Sequence, residues 1–232
     1  KITKKLNYSQ KEIMNLGAFL RMKTRIFIVR HTETVGNIEK RLTGRQDYAL
    51  TKKGEKLVVY LTKELQNIKF NAIYSSTSGR AVATVEPLAK LNNLQVIQSE
   101  NLCEMYFGDY DGWKWEDVDK IQPEIKANQN RINEIYGIPH QETMQAVAER
   151  MYKYITKISK ENQGNTILIG SHGVAIEAFL RKIVDLPFTY EREKFCQHNV
   201  AINELNFEND KFEIVRLADV DYLNKYKEEE RE

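Results

Sequence analysis

Two apolar runs in this chain end in the same unusual way. Arg25-Ile26-Phe27-Ile28-Val29 runs into Arg30-His31-Thr32-Glu33, and Thr166-Ile167-Leu168-Ile169-Gly170 runs into Ser171-His172-Gly173. An isolated Arg-His pair reads as exposed loop residues, because so short a motif carries little information. The repeated ending changes that reading. Both runs have the β-branched and aromatic composition of short buried strands, so each delivers an imidazole to a strand's carboxyl end, where open α/β sheets bind ligands. Arg30 adds a guanidinium at the first strand end, and Arg80 lies just beyond another strand. Two imidazoles and at least two guanidiniums make a polycationic pocket whose natural ligand is a phosphoryl group. Arginine pairs bidentately with phosphate oxygens, and a neutral imidazole has one nitrogen lone pair that can attack phosphorus. For that attack, a neighbouring acceptor must hold the other ring nitrogen as N–H.

The elements that must position these groups are legible in outline. Residues 35 to 47 form a polar loop that supplies Asn37 and Arg45. Thr51 is placed to cap a helix running to about Gln66, with Leu57, Val58, Leu61 and Leu65 as its apolar stripe. Phe70 to Tyr74 predicts a second strand and Leu94 to Ile97 a third. A helix starting after Ser75-Ser76-Thr77-Ser78 places Arg80 in its first turn, a poor site for a cation unless an anion joins it there. Pro87 predicts a kink or break near Val85 or Glu86. The turn formers and aromatics from Gly108 to Trp113 suggest an ordered loop walling a pocket. Trp115 to Ala127 and Gln141 to Ser159 read as helices separated by Gly137-Ile138-Pro139, and Val174 to Ile183 follows the His172 strand as another. Val200 to Phe207 and Phe212 to Leu217 alternate as strands around Glu208-Asn209-Asp210-Lys211, a hairpin signal.

At 232 residues, one catalytic domain over residues 22 to 220 is the expectation. Residues 1 to 21 read as an amino-terminal extension, with Ser9 able to cap a helix from Gln10 to Arg21 and no signal-peptide pattern. Residues 221 to 232 read as a charged carboxyl-terminal tail, with the charge run from Lys225 to Glu232 solvated and frayed. A formal charge of +2 from 35 basic and 33 acidic residues gives no field pointing to nucleic acid or to a membrane surface. The absence of a long apolar run and the presence of only two cysteines, Cys103 and Cys196, favour a reducing compartment, the cytoplasm. The four histidines lack metal-ligand spacing, so no metal and no other cofactor is expected. His140 and His198 stand outside the motifs and read as surface or structural residues.

Five blocks, taken together, resemble the histidine phosphatase superfamily, the phosphoglycerate-mutase-like enzymes, in its phosphatase branch. They are Arg30-His31-Thr32-Glu33 with Asn37; Thr43-Gly44-Arg45-Gln46-Asp47 with Leu50-Thr51; Ser75-Ser76 with Arg80-Ala81 and Thr84; Leu102-Cys103-Glu104 with Phe107-Gly108 and Asp111-Gly112; and Ser171-His172-Gly173. The resemblance covers about residues 24 to 207. It implies a three-layer α/β sandwich with a mostly parallel central sheet and helices on both faces. It also implies His31 as the nucleophile that forms a phosphohistidine and Glu104 as the general acid and base. Leu102, Met105 and Phe107 around Glu104 suggest an apolar setting that holds its proton to higher pH. Arg30, Arg80 and His172 would hold the transferable oxygens and neutralise transition-state charge. Asn37, Arg45, Thr32 and Gly173 are expected at the substrate. Thr32 stands where the family commonly has glycine, so its side chain must turn away from the phosphate or contribute a hydrogen bond.

The expected activity is metal-independent hydrolysis of a small phosphate ester. A phosphoglycerate mutase of the same fold is the nearest alternative, although Trp113 to Gln141 is short for a mutase insertion and its basic residues are interleaved with acids. A phospho-ligand binding protein without turnover is the alternative from another class. The small-molecule ester is the expected partner; a homodimer is compatible with the sequence, which does not read oligomeric state. Substrate identity resides in the loops of residues 38 to 48 and 106 to 140.

Overall fold

The computed structural model describes residues 22–121, 138–187 and 192–229. Its centre is a six-stranded sheet in the order β3-β2-β4-β1-β5-β6, where β1 is Thr24–Arg30, β2 Ala72–Ser75, β3 Val96–Gln98, β4 Thr166–Ser171, β5 Ile202–Glu208 and β6 Lys211–Asp219. The first four strands are mutually parallel, while β5 runs antiparallel to both β1 and β6.

Strand alternation explains why β1 reads as a continuous apolar run. Ile26 and Ile28 enter one core with Ile167 and Ile169 of β4, while Phe27 and Val29 enter a second core with Leu168, on the other face. The first core is closed by α5 (Met144–Glu161) and α6 (Gly173–Ile183), through residues such as Val147, Met151, Ile176 and Phe179. The second is closed by α2 (Lys52–Leu65), α3 (Gly79–Leu91) and α8 (Tyr222–Glu229), through Leu57, Leu61, Val85, Leu88 and Tyr226. The molecule is therefore the three-layer α/β sandwich with a mostly parallel sheet that the sequence implied. Three shorter α-helices, α1 (Val35–Ile38), α4 (Trp115–Ile121) and α7 (Arg192–Phe195), and two 3-10 turns, Glu100–Leu102 and Gly108–Tyr110, complete the described elements.

Several sequence expectations need correction. β2 starts at Ala72 rather than Phe70, because the Phe70 amide bonds to Asn92 Oδ1 and the Asn71 side chain accepts from the Thr166 amide, spending both residues on the turn into the strand. β3 starts at Val96 rather than Leu94. Pro87 does not break α3, which runs on to Leu91 with Val85, Leu88 and Ala89 buried in the core on both sides of it. Packing outweighs the lost helical hydrogen bond there. The start of the charged tail is not frayed: it is α8, whose Tyr226 stacks on Tyr60 at 5.1 Å between ring centroids. The hairpin between β5 and β6 turns at Asn209 and Asp210, both with positive φ, as that sequence signal requires. The extension capped by Ser9, the part of the 115–127 helix beyond Ile121, Gly137 and the last three residues of the tail lie outside the described residues.

The loop after β1 is fastened to the start of α2. The Thr32 hydroxyl donates to the Gly54 carbonyl at 2.6 Å, and the Thr51 hydroxyl donates to Glu33 Oε1 at 2.8 Å while accepting from the Gly54 amide at 2.8 Å. This approach leaves no room for a side chain at position 54, where a Cβ would sit 2.1 Å from the Glu33 carbonyl oxygen. Glycine to alanine normally strengthens a helix. Here the sign reverses: Gly54→Ala is expected to lower the unfolding free energy by about 1–3 kcal/mol, an overpacking cost, and to reduce activity by displacing the loop after β1. Urea denaturation of the purified variant checks this, and a gain in stability would refute the docking argument.

Candidate active site

β1 and β4 pair in register from Arg25 with Thr166 to Arg30 with Ser171. Each strand's next residue is a histidine, and the His31 amide donates to the Ser171 carbonyl at 2.9 Å, carrying the pairing one step past the strands. The two imidazoles consequently meet at the carboxyl edge of the sheet, with ring centroids 5.2 Å apart and planes at 56°. Both are buried.

Their hydrogen bonds define their tautomers. His31 Nδ1 lies 2.7 Å from the Thr32 carbonyl oxygen, which can only accept, so Nδ1 carries the proton and Nε2 keeps its lone pair. His172 is the reverse case. Its Nδ1 faces Arg80 Nη2 at 3.2 Å, and a guanidinium can only donate, so Nδ1 accepts and Nε2 donates to Ser76 Oγ at 2.7 Å. Burial, followed by the nearby Arg30 and Arg80 cations, holds the His31 imidazolium well below its usual range. His172 is pushed in the same direction by burial, then by Arg80 and His31. Both rings are therefore neutral at physiological pH.

Arg80 is fully enclosed by the loop of residues 43–47. Nη1 donates to the Gln46 carbonyl at 2.7 Å and to Asp47 Oδ1 at 3.1 Å, and Nη2 donates to the carbonyls of Thr43 and Gly44 at 3.1 and 3.0 Å. The same loop is held from its other side by Asp111, which accepts from the amides of Gly44, Arg45 and Gln46. Arg30 donates from Nη1 to the Gln197 carbonyl. In both arginines the buried Nε–H has no acceptor among the described residues. Unpaired buried donors are costly, and an oxyanion is the ligand that would satisfy them.

Glu104 sits at the amino end of α6. Its Oε1 accepts from the amides of Met105 and Ala175, each at 2.9 Å, and its Oε2 from the amide of Val174 at 3.1 Å. Of the apolar neighbours expected around it, Leu102 lies in the core and Met105 and Phe107 line the same cleft as Glu104; the backbone donors to the carboxyl are an addition the sequence did not show. A correction applies at α3. The anion expected beside Arg80 at that helix end is a side chain of the same chain, Asp47, which accepts from the amides of Gly79 and Arg80.

A cleft of about 760 Å³ is lined by Arg30, Asn37, Glu104, Phe107, Trp115 and Gly173 among others, whereas His31, His172 and Arg80 are buried and are not among its lining residues. Asn37 thus reaches the cleft, with Oδ1 accepting from Asn199 Nδ2 at 3.3 Å, and so does Gly173. Two expected substrate residues do not. Arg45 is exposed and is not among the residues lining the cleft, because Asp111 and Arg80 fix the backbone of its loop with that side chain in solvent. The Thr32 side chain is turned into α2, leaving only its backbone near the site. His140 pairs with Asp109 on the surface at 2.9 Å, and His198 is exposed. Sequence reasoning missed Gln197 and Asn199, which line the cleft. It gave no role to Ser76 or Asp47 although both lie in the quoted blocks; a serine and an acid flanking Arg80 were the signal available. Among the described residues no cluster of three or more His, Cys, Asp or Glu side chains is placed to hold a metal ion, and no helix is long and apolar enough to cross a membrane.

Residues 26–220 match the family model described as "Histidine phosphatase superfamily (branch 1)". The chain belongs to that superfamily. It is 26% identical over 186 residues to the "Probable phosphoglycerate mutase GpmB" of Salmonella arizonae, an alignment covering 79% of this chain and 85% of the relative. Among solved structures it superposes on "Bacillus stearothermophilus YhfR" with a TM-score of 0.81 and 27% identity, covering 86% of this chain and 99% of that one. It shares its fold with a phosphoserine phosphatase from Entamoeba histolytica solved with 3-phosphoglyceric acid, at a TM-score of 0.75 and 21% identity, covering 86% of this chain and 99% of the other.

Two buried neutral imidazoles have a consequence for stability. Their folded-state pKa values lie below the ordinary value of about 6.5, so below that pH the unfolded chain binds protons that the folded chain refuses. Stability is therefore complete above about pH 6.5 and falls as the pH is lowered, by up to about 1.4 kcal/mol per pH unit for each histidine. Urea midpoints measured between pH 7.5 and 5 in phosphate-free buffer should decline, and the decline should be shallower in a His31→Asn/His172→Asn double variant. Identical slopes for the two proteins would contradict neutral burial.

Proposed function

We propose that the protein hydrolyses a phosphate monoester through a phosphohistidine on His31. The observation that carries this reading is the Nδ1 hydrogen bond from His31 to the Thr32 carbonyl, which leaves Nε2 as a free lone pair beside two guanidiniums. In the first step Nε2 attacks phosphorus and the ester P–O bond breaks. Arg30 and Arg80 stabilise the charge spread over the equatorial oxygens, His172 orients Arg80 by accepting from its Nη2, and Glu104 gives the leaving alkoxide its proton. Oε2 of Glu104, with one backbone donor against two on Oε1, is the oxygen less committed to the backbone and the better proton carrier. In the second step water attacks the phosphohistidine, Glu104 takes the water's proton, and phosphate leaves as Nε2 regains its lone pair. Binding of phosphate pairs the Nε–H groups of Arg30 and Arg80. No step calls for a metal or other cofactor, and the ester's alcohol portion occupies the cleft.

Support for the phosphatase reading comes from the superfamily itself and from the phosphatase among its structural relatives. The name of the Salmonella relative keeps one second reading open, transfer of the phosphoryl group back to a phosphoglycerate. The two differ in one measurable product. With 2- or 3-phosphoglycerate as substrate, inorganic phosphate should appear faster than the isomeric phosphoglycerate; the opposite ratio would assign the mutase. His31→Ala should lower kcat for p-nitrophenyl phosphate by about 10³-fold or more, because it removes the nucleophile, and should abolish the acid-labile, base-stable label trapped by rapid quench with a phosphate-labelled ester. Exhaustive chelation should leave turnover within about twofold of untreated enzyme.

A further inference from the structure

The segment that delivers Glu104 is gripped from behind by a residue outside the cleft. Arg150, on α5, pairs with Glu142 through Nε to Oε1 at 2.7 Å and Nη2 to Oε2 at 3.0 Å. The same guanidinium donates from Nη2 to the Glu104 carbonyl at 3.1 Å and from Nη1 to the Asn101 carbonyl at 2.9 Å. Glu142 holds the other side of the turn, accepting from the Tyr106 amide at 3.3 Å while its own amide donates to the Tyr106 carbonyl at 2.9 Å. The pair is largely shielded, with side-chain exposures of 15% and 18%. One ion pair thus fixes the backbone at residues 101, 104 and 106.

That arrangement does more than stabilise a loop. The Glu104 carboxyl has two masters: its oxygens are bound to the start of α6, while its backbone is bound to α5 through Arg150. Whether the carboxyl meets the leaving oxygen depends on the second attachment as much as on the first. Misplacing a proton donor by about 1 Å costs on the order of 10²-fold in rate. Only the planar fork of arginine reaches a carboxylate bidentately and two carbonyls together.

We propose that Arg150, oriented by Glu142, is a positioning residue that sets Glu104 for proton donation to the departing alcohol. The proposal rests on the assignment of Glu104 as the general acid. It makes a prediction that a merely structural ion pair does not. A misplaced acid penalises poor leaving groups, which need a proton, and spares good ones, which do not. The test is kcat/KM across phosphate esters whose alcohols range from p-nitrophenol to simple primary alcohols, for wild type, Arg150→Met, Arg150→Lys, Glu142→Gln and Glu104→Gln.

Arg150→Met should lose about 10²-fold on alkyl phosphates and less than about threefold on p-nitrophenyl phosphate, with vanadate inhibition unchanged. Arg150→Lys and Glu142→Gln should show the same leaving-group bias at smaller size, and they supply the answer if Arg150→Met does not fold. Glu104→Gln should show the steepest bias of all. An equal loss on every ester in the Arg150 and Glu142 variants, alongside a steep bias in Glu104→Gln, would overturn the positioning role and leave the acid assignment standing. A Glu104→Gln variant without leaving-group bias would overturn the acid assignment, and the positioning role with it.

Discussion

The site depends on the parallel register of β1 with β4. Parallel strands bring their carboxyl ends to one edge of the sheet, and a register that pairs Arg30 with Ser171 makes His31 and His172 neighbours. The side-chain period of a strand is two residues, so a slip of one residue would send one imidazole to the opposite face and into a helix layer. The register is protected by two cores at once. Ile26 and Ile28 belong to one, Phe27 and Val29 to the other, and a shifted strand would have to exchange all four. The same pairing places β4 between β1 and β2, so the end of β2 and the start of α3 deliver Ser76 and Arg80 beside His172.

Around that edge, local hydrogen bonds convert proximity into distinct chemistry for two identical side chains. A carbonyl at Nδ1 leaves His31 with a free Nε2 lone pair; a guanidinium at Nδ1 and a hydroxyl at Nε2 give His172 the opposite tautomer. Neither ring can gain a proton cheaply, being buried and beside the same two arginines. The pocket's cationic charge thus comes from guanidiniums and the Lys40 ammonium, with the imidazoles kept as neutral donors and acceptors. A site built this way is preorganised for an oxyanion, and in the proposed reaction His31 would not have to expel a proton before attacking.

How much of this the sequence disclosed follows from which interactions are local. Alternation and strand ends are local, so β1, β4, the capped α2 and the hairpin of β5 and β6 were readable, as was the meeting of His31 with His172 once two strands shared an ending. The apolar neighbours of Glu104 were readable, since Met105 and Phe107 share its cleft, but its polar partners were not, because the amides of Val174 and Ala175 lie far along the chain. Arg45 misled for the converse reason. It belongs to a loop whose backbone, not its side chains, wraps Arg80. Thr32 was resolved only by Gly54, whose missing side chain lets α2 come close enough to take the threonine hydroxyl.

Both helix amino ends beside the site are already occupied by carboxylates of the chain. Asp47 takes the amides at the start of α3, and Glu104 takes those at the start of α6. In many phosphate sites such ends receive the ligand through helix dipole and free amides. Here the amides of Gly79, Arg80, Val174 and Ala175 are spent on side chains, while among the described residues the Nε–H groups of Arg30 and Arg80 are buried without an acceptor. This division suits a phosphoryl group that has to move. Helix-end amides are fixed in direction and fit one bound position. In the proposed reaction, guanidinium edges would accommodate oxygens that shift as phosphorus passes from the ester oxygen to Nε2 and on to water. Placing Glu104 on a helix end also keeps a carboxyl at the edge of a cationic pocket without collapsing it onto the arginines. Glu104 and Arg30 thus stand as separate groups lining one cleft, as the proposed division between acid and phosphate binder requires.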